Sequence, residues 1–285
     1  MVDLTGFEDL IILALTALLP ALGYLLWVRQ SERLGHEPWS LLMRLFLFGA
    51  LGATVIAAIL EVVIVDLGTA VSQKYPGPEF GFLNGSSTLG AFFLVLVVAP
   101  FVEEALKAAG VVQYRSSMRR LADGPVFGAA VGLGFGFFET LLYGLGAFLA
   151  GGFAAGLTLI FVRSISSVLL HGSSTAMFGR GYASSLYERQ RGASGAYYLL
   201  AVAMHASFKA LASLGAIVTA LGFANGITDY ADLIGLLAAV AFAFGAIEHV
   251  RTVIARSDFP GAGAVHPRYR PPAAIPKAVQ NRRPK

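Results

Sequence analysis

Long apolar runs constrain this chain more than any other feature. Seven stretches of about 20 residues lie near 9–28, 42–66, 88–113, 124–147, 155–179, 197–222 and 231–254. At 1.5 Å per helical residue each can cross a hydrocarbon core of about 30 Å. A chain with so many such runs cannot hide them in one soluble core, and its 13% charged residues fall well short of the roughly 25% that covers a soluble surface. The reading is an all-α, polytopic membrane helix bundle of about seven transmembrane helices. The first run follows Asp3, Glu8 and Asp9 and precedes Arg29 and Arg33, the reverse of a signal peptide's basic start, so it reads as a retained helix.

The basic residues order these spans. Arg29 and Arg33, Arg115 to Arg120, Arg180 to Arg191, and everything basic from Arg251 to Lys285 follow the odd-numbered spans, whereas the alternate loops hold only Lys74. The positive-inside rule then predicts N-terminus out and C-terminus in. The uncharged stretch Leu149 to Gly156 would turn on the outer side through Gly151 and Gly152. Residues 1–257 form the membrane domain. Residues 258–285, basic and rich in proline, read as a disordered cytoplasmic tail able to touch anionic lipid. The net charge of +4 therefore lies in loops and tail and does not point to nucleic acid. The absence of cysteine excludes disulfides, thiolate metal sites and a cysteine nucleophile.

Charges inside the spans are the exception to this pattern. A charged side chain at bilayer depth costs at least about 2.5–3.5 kcal/mol, so it needs a partner, a cavity or a function. Span two carries Glu61, span three Glu103, Glu104 and Lys107, span four Glu139, span five Arg163 and His171, and span six His205 and Lys209. Counted from the ends of their spans, Glu104, His171 and His205 share a depth of roughly 12–14 Å, and Glu139 comes out nearer 20 Å. Gly128, Gly132 and Gly136 recur every four residues, a pattern that admits a close neighbour and turns Glu139 into the bundle. Thr175 follows His171, and Lys209 follows His205, at i+4 on the same helix faces.

Carboxylates and imidazoles meeting in a wet pocket can hydrolyse an amide in two ways. In one, a glutamate is general base to a water while the histidines, with Lys209, stabilise the oxyanion and protonate the leaving amine. In the other, His171, His205 and Glu139 hold a divalent metal such as zinc with an open position. The chain has no HExxH sequence, so no single helix supplies a metal site. The residues leave open whether the cofactor is none or a metal.

EEALK at Glu103–Lys107, GFGFFE ending at Glu139, FVRSISSVLLHGSSTAMFG around His171 and MHASFK around His205 occur in this order within 99–211. In these motifs the chain resembles the PrsW family of intramembrane proteases, a bacterial group related to the type II CAAX prenyl endopeptidases. The resemblance implies an integral protein of the bacterial plasma membrane that cuts membrane-anchored proteins, an anti-sigma factor among them. It implies Glu103, Glu104, Glu139, His171 and His205 as catalytic residues, with Lys107, Arg163, Thr175 and Lys209 in support. By analogy with the first acid of the CAAX enzymes, Glu103 is the water-activating base. The chain departs from the family's usual asparagine at Thr140, and from its usual asparagine or aspartate at Lys209. A proton-coupled transporter using the same cluster, or a catalytically silent scaffold, are the alternatives; no internal repeat of the kind common in transporters is visible.

Overall fold

The computed structural model describes residues 4–223 and 226–258, all helix and connecting turn with no strand among them. Helix α1 (Leu4–Arg29) is followed by α2 (Trp39–Leu47), which runs through a π-helical stretch (Phe48–Ala53) into α3 (Thr54–Lys74). A 3₁₀ turn (Pro78–Leu83) leads to α4 (Thr88–Phe93), a second π-helical stretch (Leu94–Val98) and α5 (Ala99–Gln113). Then come α6 (Asp123–Ser164), α7 (Ser167–Tyr187), α8 (Ala193–Ala212), α9 (Leu214–Ala220) and α10 (Ile227–Ser257).

Five helical stretches among the described residues are long and apolar enough to cross a membrane, or six if α8 and α9, bent by 69° at Ser213, form one span. The difference from seven lies in one stretch, Asp123–Tyr187, which contains two of the expected runs. Its helix α6 breaks at Gly152, where φ is +80°. Beyond the break the chain doubles back. Gly144 leaves no room for a side chain beside Ile160, a residue that would lie about 24 Å away along a straight helix. A positive φ is the conformation that glycine tolerates and other residues resist, so the reversal falls on Gly152. The basic tail from residue 259 onward lies outside the described residues.

The N-terminal arm of α6 is the axis of the bundle, buried from Asp123 to Gly136. One side meets α7 in antiparallel register. A Cβ on Gly124, Gly128 or Gly132 would collide with the main-chain carbonyls of Gly179, Thr175 and His171 respectively, and one on Gly136 would crowd Val168 and His171. The opposite side has the same economy of volume, with Gly134 against the carbonyl of Phe46 and Val131 against Gly49. Lipid-embedded helices gain little from hiding apolar surface, so close backbone packing of this kind carries much of their association.

At the end of the bundle bearing Arg29 and Arg251, one guanidinium ties four segments together. Arg120 bonds Asp258 Oδ1 at 2.6 Å, Glu32 Oε1 at 3.0 Å, Asp123 Oδ1 at 3.1 Å and the carbonyl of Gly35 at 3.0 Å. Asp258 also accepts from the main-chain N–H of Leu34 at 2.7 Å. The α1–α2 loop, the α5–α6 loop, the start of α6 and the end of α10 are thereby joined.

Candidate active site

The registers above bring six charged or imidazole side chains together in one buried cluster. On α5, Glu103 and Glu104 are adjacent, with Lys107 one turn on, all at 3% exposure or less. Lys107 Nζ donates to Glu104 Oε1 at 2.6 Å and lies 3.9 Å from Glu103 Oε2. From α7, His171 meets Lys107 Nζ through Nδ1 at 2.9 Å. Its other nitrogen, Nε2, meets Glu139 Oε2 of α6 at 2.9 Å. From α8, His205 Nδ1 lies 3.0 Å from Glu104 Oε1. The two imidazole rings are 4.8 Å apart and nearly perpendicular.

Protonation follows from the partners. A carboxylate only accepts, so His205 carries its proton on Nδ1 and turns the Nε2 lone pair inward. By the same reasoning His171 donates from Nε2 to Glu139, and its Nδ1 accepts from Lys107. Carboxylates that fix the tautomer of a histidine in this way are the usual second layer of a metal centre.

Glu104 is fully occupied. Beyond Lys107 and His205 it accepts from Ser174 Oγ at 3.0 Å and Thr175 Oγ1 at 3.3 Å. Glu139 is occupied too, with Arg163 at 2.6 Å on Oε2 and Lys209 Nζ at 3.5 Å from Oε1. Glu103 differs from both. Its Oε2 is buried without a hydrogen-bond partner, as is His205 Nε2. That oxygen lies 3.8 Å from His205 Nε2 and 3.8 Å from His171 Nδ1.

Glu103, His171 and His205 thus offer one donor atom each within 4.8 Å of one another, a group able to hold a metal ion. The fit rests on two orphaned buried atoms, Glu103 Oε2 and His205 Nε2, and on His171 Nδ1, which accepts from Lys107 and lies 3.8 Å from the same Glu103 oxygen. Glu139, expected from the sequence as the carboxylate ligand, instead holds His171 from behind, and Glu103 occupies the position facing both rings. Lys209, whose charge one turn from His205 would oppose a dication, is turned to Glu139.

The nine residues that the resemblance implies as catalytic or supporting all fall in this cluster or against it. Two others were missed. Ser174 lies three residues after His171, a spacing that puts both on one helix face and was readable. Phe135, whose ring receives Lys107 Nζ at 4.6 Å, gave no such signal.

The description PrsW family intramembrane metalloprotease matches residues 37–246, about three quarters of the chain. The chain belongs to this family. It is therefore a membrane-embedded protease, which family membership favours over the transporter and scaffold readings. No curated protein and no solved structure matches the chain.

Proposed function

We propose that the chain hydrolyses a peptide bond of membrane-anchored substrates in the bacterial plasma membrane, with an anti-sigma factor as the substrate class that the family resemblance suggests. The proposed topology has the N-terminus outside and the Arg120 end inside. The observation that carries the chemistry is the pair of buried, unpartnered atoms Glu103 Oε2 and His205 Nε2.

Glu103, His171 and His205 would hold a divalent ion such as zinc, which when bound polarises a scissile carbonyl and acidifies water. The protein's own work is orientation and proton handling. Glu104 keeps His205 Nε2 deprotonated, and Glu139 does the same for His171 Nδ1. Lys107, between Glu104 and His171, offsets the charge of two adjacent carboxylates in a site where water screens little.

A second reading is favoured by the Lys107 ammonium, which donates to the His171 Nδ1 that a metal would need. Here Glu103 Oε2 accepts a proton from water as the water oxygen adds to the carbonyl carbon, and that proton passes to the leaving amine as the tetrahedral intermediate collapses and the C–N bond breaks. His205 Nε2, 3.8 Å away, is placed to take part in that transfer.

Purified protein incubated with membrane-anchored substrates should release a fragment, and metal analysis separates the two readings. Stoichiometric metal that is lost in Glu103→Gln together with activity supports the first. Full activity after exhaustive chelation, abolished by Glu103→Gln, supports the second. Cleavage that survives in His171→Ala and His205→Ala would remove the site altogether.

A further inference from the structure

Glu61 on α3 is an acid that this site leaves without a direct partner. Toward the start of α3, Ala53 and Ala57 pack with Phe135, the residue whose ring receives Lys107. Toward its end, Gly68 meets Leu83, and Val65 reaches Gly85. Glu61 lies between these two attachments, one turn past Ala57 on the same face. Its neighbours Leu60, Val62 and Val63 are 40%, 60% and 45% exposed, so the helix around it faces lipid. Among the described residues Glu61 makes no hydrogen bond or ion pair, and Lys209, Glu139 and Lys107 reach it only through their electric fields.

The wall opposite is incomplete. Helix α3 packs against α5, the Phe48–Ala53 stretch and the 3₁₀ turn, and more lightly against α6 and Leu94–Val98, whereas α8 packs against α7, α10, α5 and Leu94–Val98; α3 and α8 share no packed seam of their own and are joined only through α5 and Leu94–Val98. One turn past Lys209, α8 ends and the chain swings by 69° into α9. Side-chain exposure rises from 0–4% at His171, His205 and Glu103 to 11% at Glu139, 13% at Lys209 and 15% at Arg163. Lys209 and Glu139, two of the more exposed members of the site, are also charges whose fields reach the half-buried Glu61.

Building on the peptidase reading, we infer that a substrate's membrane segment approaches between α3 and the bent α8–α9 pair, and that Glu61 selects segments carrying a lysine or arginine at mid-membrane depth. The cations of the site are already committed: Lys107 to Glu104, and Arg163 and Lys209 to Glu139. Glu61 is therefore an unmatched carboxylate among the described residues, half-buried on the helix face it shares with Ala57. A cation within a membrane segment is equally costly to leave unpaired, and their attraction is weakly screened at that depth. Glu61 acts as a positioning residue, since it touches the approaching segment and not the reacting atoms.

Three single-pass leucine-rich peptides, bearing Lys, Gln or Glu at one central position, test this in phosphatidylcholine vesicles containing the full chain. Association is read by energy transfer and cleavage by fragment release. The Lys peptide should bind at least about tenfold more tightly than the Glu peptide. Glu61→Gln should level the series, Glu61→Asp should keep it, and Glu61→Lys should reverse it, an outcome that a packing role alone cannot produce. Equal binding of all three peptides by the unaltered protein, or a preference that survives in Glu61→Gln, overturns the inference. A charge preference with no peptide cleaved would sink the peptidase reading and leave this one standing. Cleavage without preference would do the reverse.

Discussion

Glu103 and Glu139 are both buried glutamates, yet their surroundings give them different work. Every strong partner of Glu139 is a donor already in place, namely His171, Arg163 and Lys209. Glu103 Oε2 has none. Glu103→Gln should therefore lower turnover by about 10²–10⁴-fold, the usual worth of a proton-transferring group, with the protein still folded. Glu139→Gln should cost less, about 10–100-fold, because it loosens the orientation of His171 without removing a reacting atom. Lys209→Asn, which restores the residue usual in the resembling family, leaves Glu139 paired with Arg163 and His171 and should reduce activity less than tenfold. Fragment release by the three variants, normalised to folded protein, checks this order; a Lys209→Asn loss as large as that of Glu103→Gln would contradict the division of roles.

At the scale of elements, the contact between α6 and α7 decides whether the site exists. Their antiparallel backbone packing sets Gly132 against the His171 carbonyl, with Gly136 beside the same histidine. Glu139, one turn further along α6, then meets His171 at 2.9 Å. Gly132→Ala should push the helices apart, destabilise the fold by about 1–3 kcal/mol, and suppress activity in the folded fraction as well. Thermal unfolding in detergent, with fragment release measured below the transition, would separate the two effects. Gly195→Ala, at a position where a Cβ meets nothing within 4 Å, is the control expected to change neither.

For the whole molecule, the Arg120 cluster holds together segments far apart in sequence, and its acids make it sensitive to pH. Burial pushes the Glu32 carboxyl up to about 7, with Arg120 and the Glu37 N–H opposing. Burial and the neighbouring charges of Asp123 and Glu32 push Glu37 up to about 8, with Arg120 again opposing. A folded pKa above the ordinary 4.5 means that the folded state holds its proton more tightly than the unfolded chain. Between those values stability falls as pH rises. The melting temperature should thus decline from about pH 5 to about pH 8, and the paired variant Glu32→Gln, Glu37→Gln should flatten the curve. Arg120→Met, which strands buried acids, should destabilise most at the alkaline end.

The sequence by itself determined the membrane-helical class and picked out the residues that gather in the buried cluster, because apolar runs, intramembrane charges and a four-residue glycine repeat are local signals read along one helix. It also marked Gly151 and Gly152 as the place of a turn. Two things needed the tertiary structure. Counting residues along separate helices put Glu139 well away from Glu104 in depth, because such a count cannot include the helix crossings that bring His171 into contact with both Glu139 and the α5 cluster. The choice between Glu103 and Glu139 as the carboxylate facing the imidazoles was equally beyond the sequence. It depends on which oxygen is left unpartnered after every donor on four helices has found an acceptor, and that is a property of the packed molecule.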